Sequence, residues 1–444
     1  MNDKTAVSFI SLGCAKNQIN TEIMIAAVKN AGFDITGEPE KSKVCVINTC
    51  GFIEDAKKEA LEIFFEVAAL KKEKKIDKII VCGCLAQRYE QEIADELFEA
   101  DGFVGVGSFQ RIVEAVEKVL SDERVMFFDD LSNIQLEGER FVISPPFSTY
   151  LKIADGCSNR CSYCAIPLIR GPFHSRPMEN ILAEAKTLAQ NGTKELIVIA
   201  QDTSNYGKDI YGKRVLPQLL NELCGIDGIE WIRIMYLYPD KITDELIDVI
   251  KSQDKIVKYI EMPIQHASKN VLSAMNRPGD SELLLSLVQK LRREIPGVIL
   301  RTTVMVGFPG ETDADFEKLC VFLKSARFDR LGVFAFSSET GTPAADMEHE
   351  VPDDVKKERA EAVELLQSQI VFEKSEALVG RTLEVICEGF DRFAECYFGR
   401  SYMEAPDIDG KIFFSSENII CSGDIVRVRI TECMDFELIG EIVK

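Results

Sequence analysis

The feature that most constrains this chain is a regular alternation of strand-like and helix-like segments along most of its 444 residues. In the first part, apolar runs predict strands at Val7–Ser11, Val44–Asn48, Lys78–Cys82 and Phe103–Val106. Amphipathic segments between them, such as Glu54–Lys72, predict helices. This βαβα order favours an open parallel sheet with helices on both faces.

The alternation continues through the middle of the chain and then changes. Six further strands are predicted at Tyr150–Ala154, Glu195–Ala200, Ile229–Tyr236, Lys258–Pro263, Val298–Met305 and Leu331–Phe336. Six βα units favour a partial (βα)6 barrel of the TIM type, although the pattern alone also fits a flat sheet. After a charged helix at Asp354–Leu378, the short alternating strands and turn signals of Thr382–Lys444 predict a small β-barrel.

These patterns predict an α/β protein with three domains. We expect domains at residues 1–125, 146–375 and 376–444, with a linker at residues 126–145. The segment Ser132–Tyr150 contains Pro145-Pro146 and lacks helical periodicity, which indicates a linker or a short hairpin.

Charge and hydropathy limit where the protein works and what it binds. Its 52 Lys and Arg against 73 Asp and Glu give a net charge of −21. Nucleic-acid binding favours a protein with a basic face, so this acidic chain, although it does not exclude RNA, favours a basic protein partner at least as much. The excess of Asp and Glu can also serve solubility alone. The chain has no apolar run of about 18 residues and no leader pattern after Met1, so we expect a cytoplasmic protein.

Cysteines carry the strongest chemical signal, because fourteen of them are many for a cytosolic chain. Cys157, Cys161 and Cys164, here called the loop cysteines, form a CxxxCxxC motif just after a predicted strand. Three thiolates can bind three corners of a four-iron cluster and leave one iron open. The alternative is a zinc site with His174 as the fourth ligand.

A second group of cysteines stands in the first part of the chain. Cys14, Cys50 and Cys84, here called the N-terminal cysteines, each follow a predicted strand, so they should meet at one edge of a parallel sheet. Three ligands would again leave one iron open. The alternative is three unrelated buried thiols. Cys45 and Cys82 lie inside strands and should be packed, although Cys82 shares a face with Cys84 and leaves the choice of ligand open.

The CxxxCxxC motif resembles that of the radical S-adenosylmethionine superfamily. The resemblance implies that the turn carrying Gly307 and Gly310 lines the adenosyl group, although an ordinary strand–turn–helix connection would look the same. Gln201 and His266 follow predicted strand ends, where barrel chemistry takes place, and His266 can equally be structural. Tyr163 is expected to pack beside the cluster, and we predict Tyr163, Gly307, Gly310 and Gln201 as cofactor-binding residues.

Across nearly its whole length the sequence resembles the methylthiotransferases. The strings around the N-terminal cysteines, the CxxxCxxC loop and the terminal barrel follow that family's order, which implies a cluster-binding domain, a radical barrel and a TRAM domain. Three strings are typical of the branch that modifies ribosomal protein S-twelve: GCLAQRY from Gly83, IPLIRGP from Ile166 and APDIDG from Ala405. Asn20-Thr21-Glu22 and Asp407 depart from the family pattern without touching a predicted ligand.

The resemblance also implies cofactors and a mechanism. The cofactors would be two 4Fe–4S clusters and S-adenosylmethionine. The cluster on the loop cysteines would cleave S-adenosylmethionine to a 5′-deoxyadenosyl radical, which takes a hydrogen from the β-carbon of an aspartate of protein S-twelve. Sulfur from the cluster on the N-terminal cysteines and a methyl group from a second S-adenosylmethionine would complete the product. An electron donor and a sulfur source would be further partners.

The tail helps to choose between a protein and a transfer RNA, the substrate of the family's other branch. From Gly380 onward it has seven positive and thirteen negative residues, a balance of −6. An RNA-binding barrel should be basic and present stacking aromatics. Four aromatics of the tail, Phe393, Tyr397, Phe398 and Tyr402, should therefore be core or a protein-docking surface. A non-enzymatic iron–sulfur or zinc scaffold is a third reading, disfavoured by two groups of three cysteines.

Overall fold

The computed structural model describes residues 5–134, 136–434 and 437–443. The start Met1–Lys4, Gln135 of the predicted linker, and Asp435, Phe436 and Lys444 of the tail lie outside the described residues. The chain divides into two compact units. The first contains the described residues up to Ser144, Lys152–Asn180 and Ser337–Ala345; the second contains Pro145–Leu151, Ile181–Phe336 and the described residues from Asp346 on.

The first unit is built on a six-stranded sheet in the order β2-β1-β3-β4-β5-β6, with every neighbouring pair parallel. Its elements are β1 (Ala6–Ser11), α1 (Ala15–Asn30), β2 (Asp34–Thr36), β3 (Val44–Thr49), α2 (Glu54–Lys72), β4 (Lys78–Gly83), α3 (Cys84–Glu96), β5 (Gly102–Val104), α4 (Ile112–Leu120) and β6 (Val125–Phe127).

Helices cover both faces of this sheet, and the central strands show it. Along β3, Val44 and Val46 pack into one core cluster, while Cys45 and Ile47 pack into another on the opposite face. A strand that is buried on both faces needs a continuous apolar run, which residues 44–47 supply within β3.

The chain continues through a second series of elements in the order β7 (Ser148–Lys152), β8 (Ala154–Asp155), α5 (Ile166–Arg170), β9 (His174–Ser175), α6 (Met178–Gln190), β10 (Glu195–Ile199), α7 (Leu216–Cys224), β11 (Trp231–Ile234), α8 (Asp244–Ser252), β12 (Ile256–Glu261), α9 (Lys269–Ala274), α10 (Ser281–Glu294), β13 (Ile299–Val306), α11 (Asp313–Ala326), β14 (Arg330–Ala335) and α12 (Asp353–Glu376). The sheet order is β14-β13-β12-β11-β10-β7, so consecutive strands are neighbours, and β10 to β14 are parallel. A sequential parallel order is that of a barrel arc and not of a doubly wound sheet.

The last part of the second unit is a closed barrel of five strands. They are β15 (Thr382–Asp391), β16 (Cys396–Arg400), β17 (Ile412–Ser415), β18 (Ile425–Met434) and β19 (Glu437–Ile442), in the order β15-β16-β17-β19-β18. Its core is formed by alternate residues of these strands, among them Val385, Ile412, Phe414, Val428 and Ile430. Closure removes the free sheet edges.

The predicted fold class is confirmed, with parallel sheets in both units and a closed terminal barrel. The strands β2 and β6 were not predicted, because three residues each carry too little periodicity to stand out. The domain boundaries at 1–125, 126–145, 146–375 and 376–444 stay a prediction. Within the described part of the chain, no helix is both long enough and apolar enough to cross a membrane.

Candidate functional site

The N-terminal cysteines lie at the carboxyl edge of the first sheet. Cys14 follows β1 and immediately precedes α1, Cys50 follows β3, and Cys84 begins α3 directly after β4. The sheet order reverses between β1 and β3, and open α/β sheets bind ligands outside the carboxyl ends of strands at such a reversal. Cys14 and Cys50 therefore flank the place where this fold binds ligands, and Cys84 lies on the next strand.

Two glycines let the loops that carry these cysteines approach each other. A Cβ atom on Gly13, whose φ is +84°, would lie 2.6 Å from the Cβ atom of Cys50. A Cβ atom on Gly51 would lie 2.7 Å from the Cα atom of Leu85, the residue after Cys84. Any larger residue at either position would force the loops apart.

A buried asparagine ties the same three loops together. The Nδ2 atom of Asn17 donates to the carbonyl oxygens of Leu12, at 2.9 Å, and Thr49, at 3.0 Å. Its Oδ1 atom lies 3.7 Å from the Sγ atom of Cys84 and accepts from that thiol. One side chain thus contacts the ends of β1 and β3 and the first residue of α3.

A buried guanidinium joins the N-terminal cysteines to the strand that precedes the loop cysteines. The Nη2 atom of Arg170 donates to the Sγ atom of Cys84 at 3.3 Å and to Oδ1 of Asn17 at 2.9 Å. Its Nη1 atom donates to both carboxylate oxygens of Asp155, at 3.2 and 3.0 Å. Asp155 also accepts from the Nζ atom of Lys152 at 3.0 Å. These contacts lie within the first unit.

Burial and nearby charged groups shift the pKa values of the three N-terminal cysteines. Desolvation raises the pKa of Cys84 to about 11, although Arg170 acts to lower it. Desolvation also acts to raise the pKa of Cys14, but Lys16 and Arg170 outweigh it, and that pKa is lowered. Burial raises the pKa of Cys50, and the three thiols influence one another's ionisation. Soft sulfur donors beside compensating cations fit an iron–sulfur cluster.

The loop cysteines belong to the same unit and follow β8. Gly156, with a φ of +71°, turns the chain where a Cβ atom would lie 2.1 Å from the carbonyl oxygen of Pro172. The backbone N–H of Cys157 then donates to the carbonyl oxygen of Gly171 at 3.2 Å. The start of the CxxxCxxC loop is therefore held against the segment after α5.

The remainder of this loop is compact. Cys157 and Cys161 are buried and Cys164 is half-buried. The N–H of Cys164 donates to the carbonyl oxygen of Cys161 at 3.1 Å, and the Nδ2 atom of Asn159 donates to the Sγ atom of Cys157 at 3.4 Å. Tyr163, the predicted cofactor-binding residue of the first unit, is half-buried in the turn between Cys161 and Cys164. Three thiols on one short, largely buried loop fit a cluster with an open iron.

A distant segment of the chain, residues 337–345, fastens this loop to the helices of the first sheet. The carboxylate of Glu339 accepts from Arg88 on α3 at 2.7 Å and from Lys57 on α2 at 2.8 Å. The N–H of Ala344 donates to the carbonyl oxygen of Ser162 at 2.9 Å. One segment therefore contacts elements that carry both groups of cysteines.

The other predicted cofactor-binding residues belong to the second unit. Gln201 lies just past β10, and Gly307 and Gly310 follow β13 with φ values of +72° and +82°. A Cβ atom on Gly307 would lie 2.2 Å from the Cγ atom of Lys356, so glycine is needed there for α12 to pack. A Cβ atom on Gly310 would meet nothing within 4 Å. The Gly307 N–H donates to Oε2 of Glu311 at 2.7 Å, which fixes the turn.

His266 is buried in the same unit. Its Nδ1 atom accepts from the N–H of Ser268 at 2.9 Å, and its Nε2 atom lies 3.8 Å from Oε2 of Glu311. Burial lowers the pKa of His266 to about 4, so the ring is neutral at pH 7. The Nε2 atom is buried without a hydrogen-bond partner among the described residues, so both interpretations of His266 stay open.

Comparison with known proteins decides the family. Residues 6–105 match the model of the uncharacterized protein family UPF0004, residues 151–323 that of the radical SAM superfamily, and residues 379–443 that of the TRAM domain. The ribosomal protein uS12 methylthiotransferase RimO of Lachnoclostridium phytofermentans is 46% identical over 435 residues, which are 98% of this chain and 99% of that protein. The RimO of Geobacter sulfurreducens is 44% identical over 100% of this chain and 99% of its own length.

The chain belongs to the RimO family of radical SAM methylthiotransferases. The resemblance to methylthiotransferases drawn from the sequence is therefore confirmed, as is the prediction of an enzyme with 4Fe–4S clusters and S-adenosylmethionine as cofactors. A solved structure of the radical S-adenosylmethionine methyltransferase TsrM from Kitasatospora setae matches with a TM-score of 0.59 at 13% identity, over 77% of this chain and 75% of TsrM. At that identity the match concerns the fold alone.

The structure of this RimO-family chain adds residues that sequence analysis did not single out. Asn17 and Arg170 lie inside sequence strings that indicated only the resemblance to the family. Gly13 and Gly51 are neighbours of Cys14 and Cys50. One signal was available for Arg170, which is a lone charge at the end of the apolar segment that forms α5. A charge in such a place is buried only with a partner.

Cys82 and Cys84, between which the strand pattern left the choice of ligand open, differ in their surroundings. Cys82 has no exposed surface and packs into the core cluster of β3 and β4, whereas Cys84 contacts Arg170. We expect the Cys84→Ala variant of this RimO-family protein to lose about half of its iron, because one of two clusters loses a ligand. The Cys82→Ala variant should keep its iron. Iron and sulfide analysis after anaerobic reconstitution measures both, and equal losses would contradict the assignment.

His174 bears on the zinc alternative. Its Nδ1 atom lies 2.7 Å from the carbonyl oxygen of Pro172, and its Nε2 atom lies 2.8 Å from that of Ser132. Both ring nitrogens are thus engaged with backbone carbonyls, whereas a zinc ligand must offer one nitrogen to the metal. Among the described residues, no three His, Cys, Asp or Glu side chains are arranged to hold a single metal ion.

We therefore expect the His174→Ala variant to contain as much iron, and as much metal in total, as the unmodified protein. The change removes at least one hydrogen bond from the ring to a backbone carbonyl oxygen, so a modest loss of stability of about 1–3 kcal/mol is expected instead. Metal analysis and thermal denaturation of the same preparation distinguish these effects. Loss of metal from an otherwise folded His174→Ala protein would support a zinc site with His174 as the fourth ligand.

Proposed function

We propose that this chain transfers a methylthio group to the β-carbon of an aspartate of ribosomal protein uS12. In this proposal the loop cysteines, Cys157, Cys161 and Cys164, hold the 4Fe–4S cluster that binds S-adenosylmethionine. The N-terminal cysteines hold the second cluster. The observation that carries the proposal is that both groups of three cysteines lie in one compact unit. Within it, Arg170 contacts Cys84 and also Asp155, which lies on the strand before the loop cysteines. Tyr163, Gln201, Gly307 and Gly310 are proposed to line the cofactor.

The bound cofactors supply the radical chemistry and the sulfur that an unactivated C–H bond requires. The contribution of the chain is to place its six thiols and to bury three of them. Each group offers three sulfur ligands, which leaves one iron position open for a further ligand. Cys84, Cys157 and Cys161 are buried, and hydrogen bonds from Arg170 and Asn159 fix the sulfurs of Cys84 and Cys157. Fixed donors in a dry site favour chemistry that water would quench.

The terminal barrel supports a basic protein as substrate. Its sequence balance is −6, and one of its seven positive residues, Arg400, is buried against Glu195 and cannot face a partner. Among its aromatics, Tyr397 packs on the ring of Phe414, whereas Phe393 is fully exposed at the tip of the β15–β16 hairpin. An acidic barrel suits a basic protein more than a phosphate backbone.

The experiment that tests the proposal offers both substrates to the anaerobically reconstituted and reduced protein. S-adenosylmethionine is added with either purified uS12 or unmodified transfer RNA, and mass spectrometry follows the substrate and 5′-deoxyadenosine. We expect one methylthio group on an aspartate of uS12 and none on the RNA. Methylthiolated RNA with unmodified uS12 would replace the proposed substrate with the alternative. Absence of 5′-deoxyadenosine with both clusters present would overturn the activity itself.

We also propose that the protein acts in the cytoplasm, where uS12 is made and assembled. The reaction consumes electrons and sulfur, so an electron donor and a sulfur source are required partners in addition to uS12.

A further inference from the structure

We propose that Arg170 is a positioning residue that sets the reduction potential of the cluster on the N-terminal cysteines through its contact with Cys84. This inference rests on the proposed ligation by Cys14, Cys50 and Cys84. It adds a role for a residue that supplies no ligand and reaches the site from a different part of the chain, 86 residues away from Cys84.

The contact has the geometry of a directed interaction with a ligand sulfur. Nη2 of Arg170 lies 3.3 Å from the Sγ atom of Cys84, and the same nitrogen donates to Oδ1 of Asn17. The guanidinium is 2% exposed, so water screens its charge little. Hydrogen bonds and positive charge at a ligand sulfur stabilise the more negative, reduced state of a cluster and so raise its potential.

The partners of Arg170 hold it in place without cancelling its charge completely. Its Nη1 atom donates to Asp155, but Asp155 is shared with Lys152, whose Nζ atom lies 3.0 Å from the same carboxylate. Arg170, Asp155 and Lys152 thus form a row of charged groups. At its far end Lys152 donates to the neutral Oδ1 atom of Asn20 at 2.6 Å. The Nδ2 atom of Asn20 is buried with no hydrogen-bond partner among the described residues. Two cations in the row thus share one carboxylate.

The redox step that Arg170 affects is simple. The cluster takes up one electron from an external reductant, and no bond to the chain forms or breaks. The fixed positive charge of Arg170 makes this uptake more favourable, because arginine keeps its proton throughout. A neutral side chain in its place should therefore make the cluster harder to reduce.

The test is a redox titration of the reconstituted holoenzyme, followed by electron paramagnetic resonance. A Cys157→Ala, Cys161→Ala, Cys164→Ala background, which keeps the N-terminal cysteines, assigns the signals to the second cluster. At the potential where the unmodified cluster is half reduced, we expect Arg170→Met to lower the ratio of reduced to oxidised cluster by about tenfold, which corresponds to about 59 mV for one electron. Arg170→Lys keeps a charge but loses the planar fork, so its shift should be smaller.

Arg176→Met is the matched control. Arg176 is a second buried arginine of the same unit, which pairs with Glu137 at 2.6 Å and donates to the carbonyl oxygen of Lys152. Its removal also takes a buried guanidinium from an ion pair, although Glu137 is 39% exposed, so a general effect of losing a buried arginine would appear in both variants. We expect its cluster to titrate like that of the unmodified protein.

Asn20→Asp keeps the proposal testable if Arg170→Met fails to retain the cluster. It adds a negative charge beside Lys152 and leaves the Arg170–Cys84 contact in place, so the potential should shift in the same direction by a smaller amount. Unchanged potentials in Arg170→Lys and Asn20→Asp, or an equal shift in Arg176→Met, would overturn the role of Arg170. An unmodified protein that holds no second cluster would instead contradict the ligation on which this inference rests.

Discussion

Replacing Cys157 with Ala is expected to reduce the formation of 5′-deoxyadenosine to the level of an enzyme-free control. Cys157 is one of three proposed cluster ligands on a single, largely buried loop, and two remaining thiolates would not hold a four-iron cluster in its open form. Without that cluster, S-adenosylmethionine has no iron to bind and no source of the electron that cleaves it. The measurement is chromatographic quantification of 5′-deoxyadenosine with uS12 present.

Two other cysteine variants make this result specific. Cys84→Ala should still form 5′-deoxyadenosine but transfer no methylthio group, because the N-terminal cysteines are proposed to carry the sulfur and not the cleavage. Cys421→Ala, at an exposed cysteine of the terminal barrel, should retain both activities. If Cys84→Ala also lost cofactor cleavage while keeping the loop cluster, the division of labour between the two cysteine groups would be wrong.

The second large effect concerns stability, and we expect Glu195→Ala to lower the free energy of unfolding by about 3–5 kcal/mol. Oε1 of Glu195 accepts from Nε of Arg233 at 2.8 Å, and Oε2 accepts from Nη2 of Arg400, also at 2.8 Å. All three side chains are at most 1% exposed. Removing the carboxylate takes the shared counter-charge from two buried guanidinium groups, of which Arg400 keeps an ion pair with Glu388. Anaerobic urea denaturation followed by circular dichroism measures the loss.

The control for this variant is Glu441→Ala, which removes an ion pair with Arg429 in the terminal barrel. Both side chains of that pair are about half exposed, so the loss should be at most about 1 kcal/mol. A comparable loss in the two variants would mean that burial does not set the cost. Equal stability of Glu195→Ala and the unmodified protein would contradict the role of the buried network.

The same network predicts a pH dependence. Desolvation acts to raise the pKa of Glu195, but Arg400 and Arg233 outweigh it and lower the pKa to about 2. A carboxyl whose pKa is lower in the folded state stabilises the fold fully above its ordinary pKa of 4.5, and this contribution is lost as the pH falls towards 2. The difference in stability between the unmodified protein and Glu195→Ala should therefore shrink over that range and stay constant above it.

Local patterns determined much of this protein. The run of residues 44–47 is apolar throughout because both of its faces are buried, and this is visible in the sequence itself. The CxxxCxxC spacing is equally local, since the three loop cysteines lie on one short segment. The N-terminal cysteines are far apart in the chain, but each follows a strand, and the carboxyl ends of parallel strands share an edge.

Contacts between distant residues were decided by the tertiary structure alone. Arg170 reaches Cys84 across 86 residues, and Arg400 reaches Glu195 across 205. Gly307 was expected at the cofactor on family likeness, and the structure adds that Lys356 of α12 occupies the space beside it. No periodicity encodes which charge a buried guanidinium meets, because that depends on how whole elements pack. The sequence determined which elements form and where the cysteines lie on them, and packing decided which buried charges surround those cysteines.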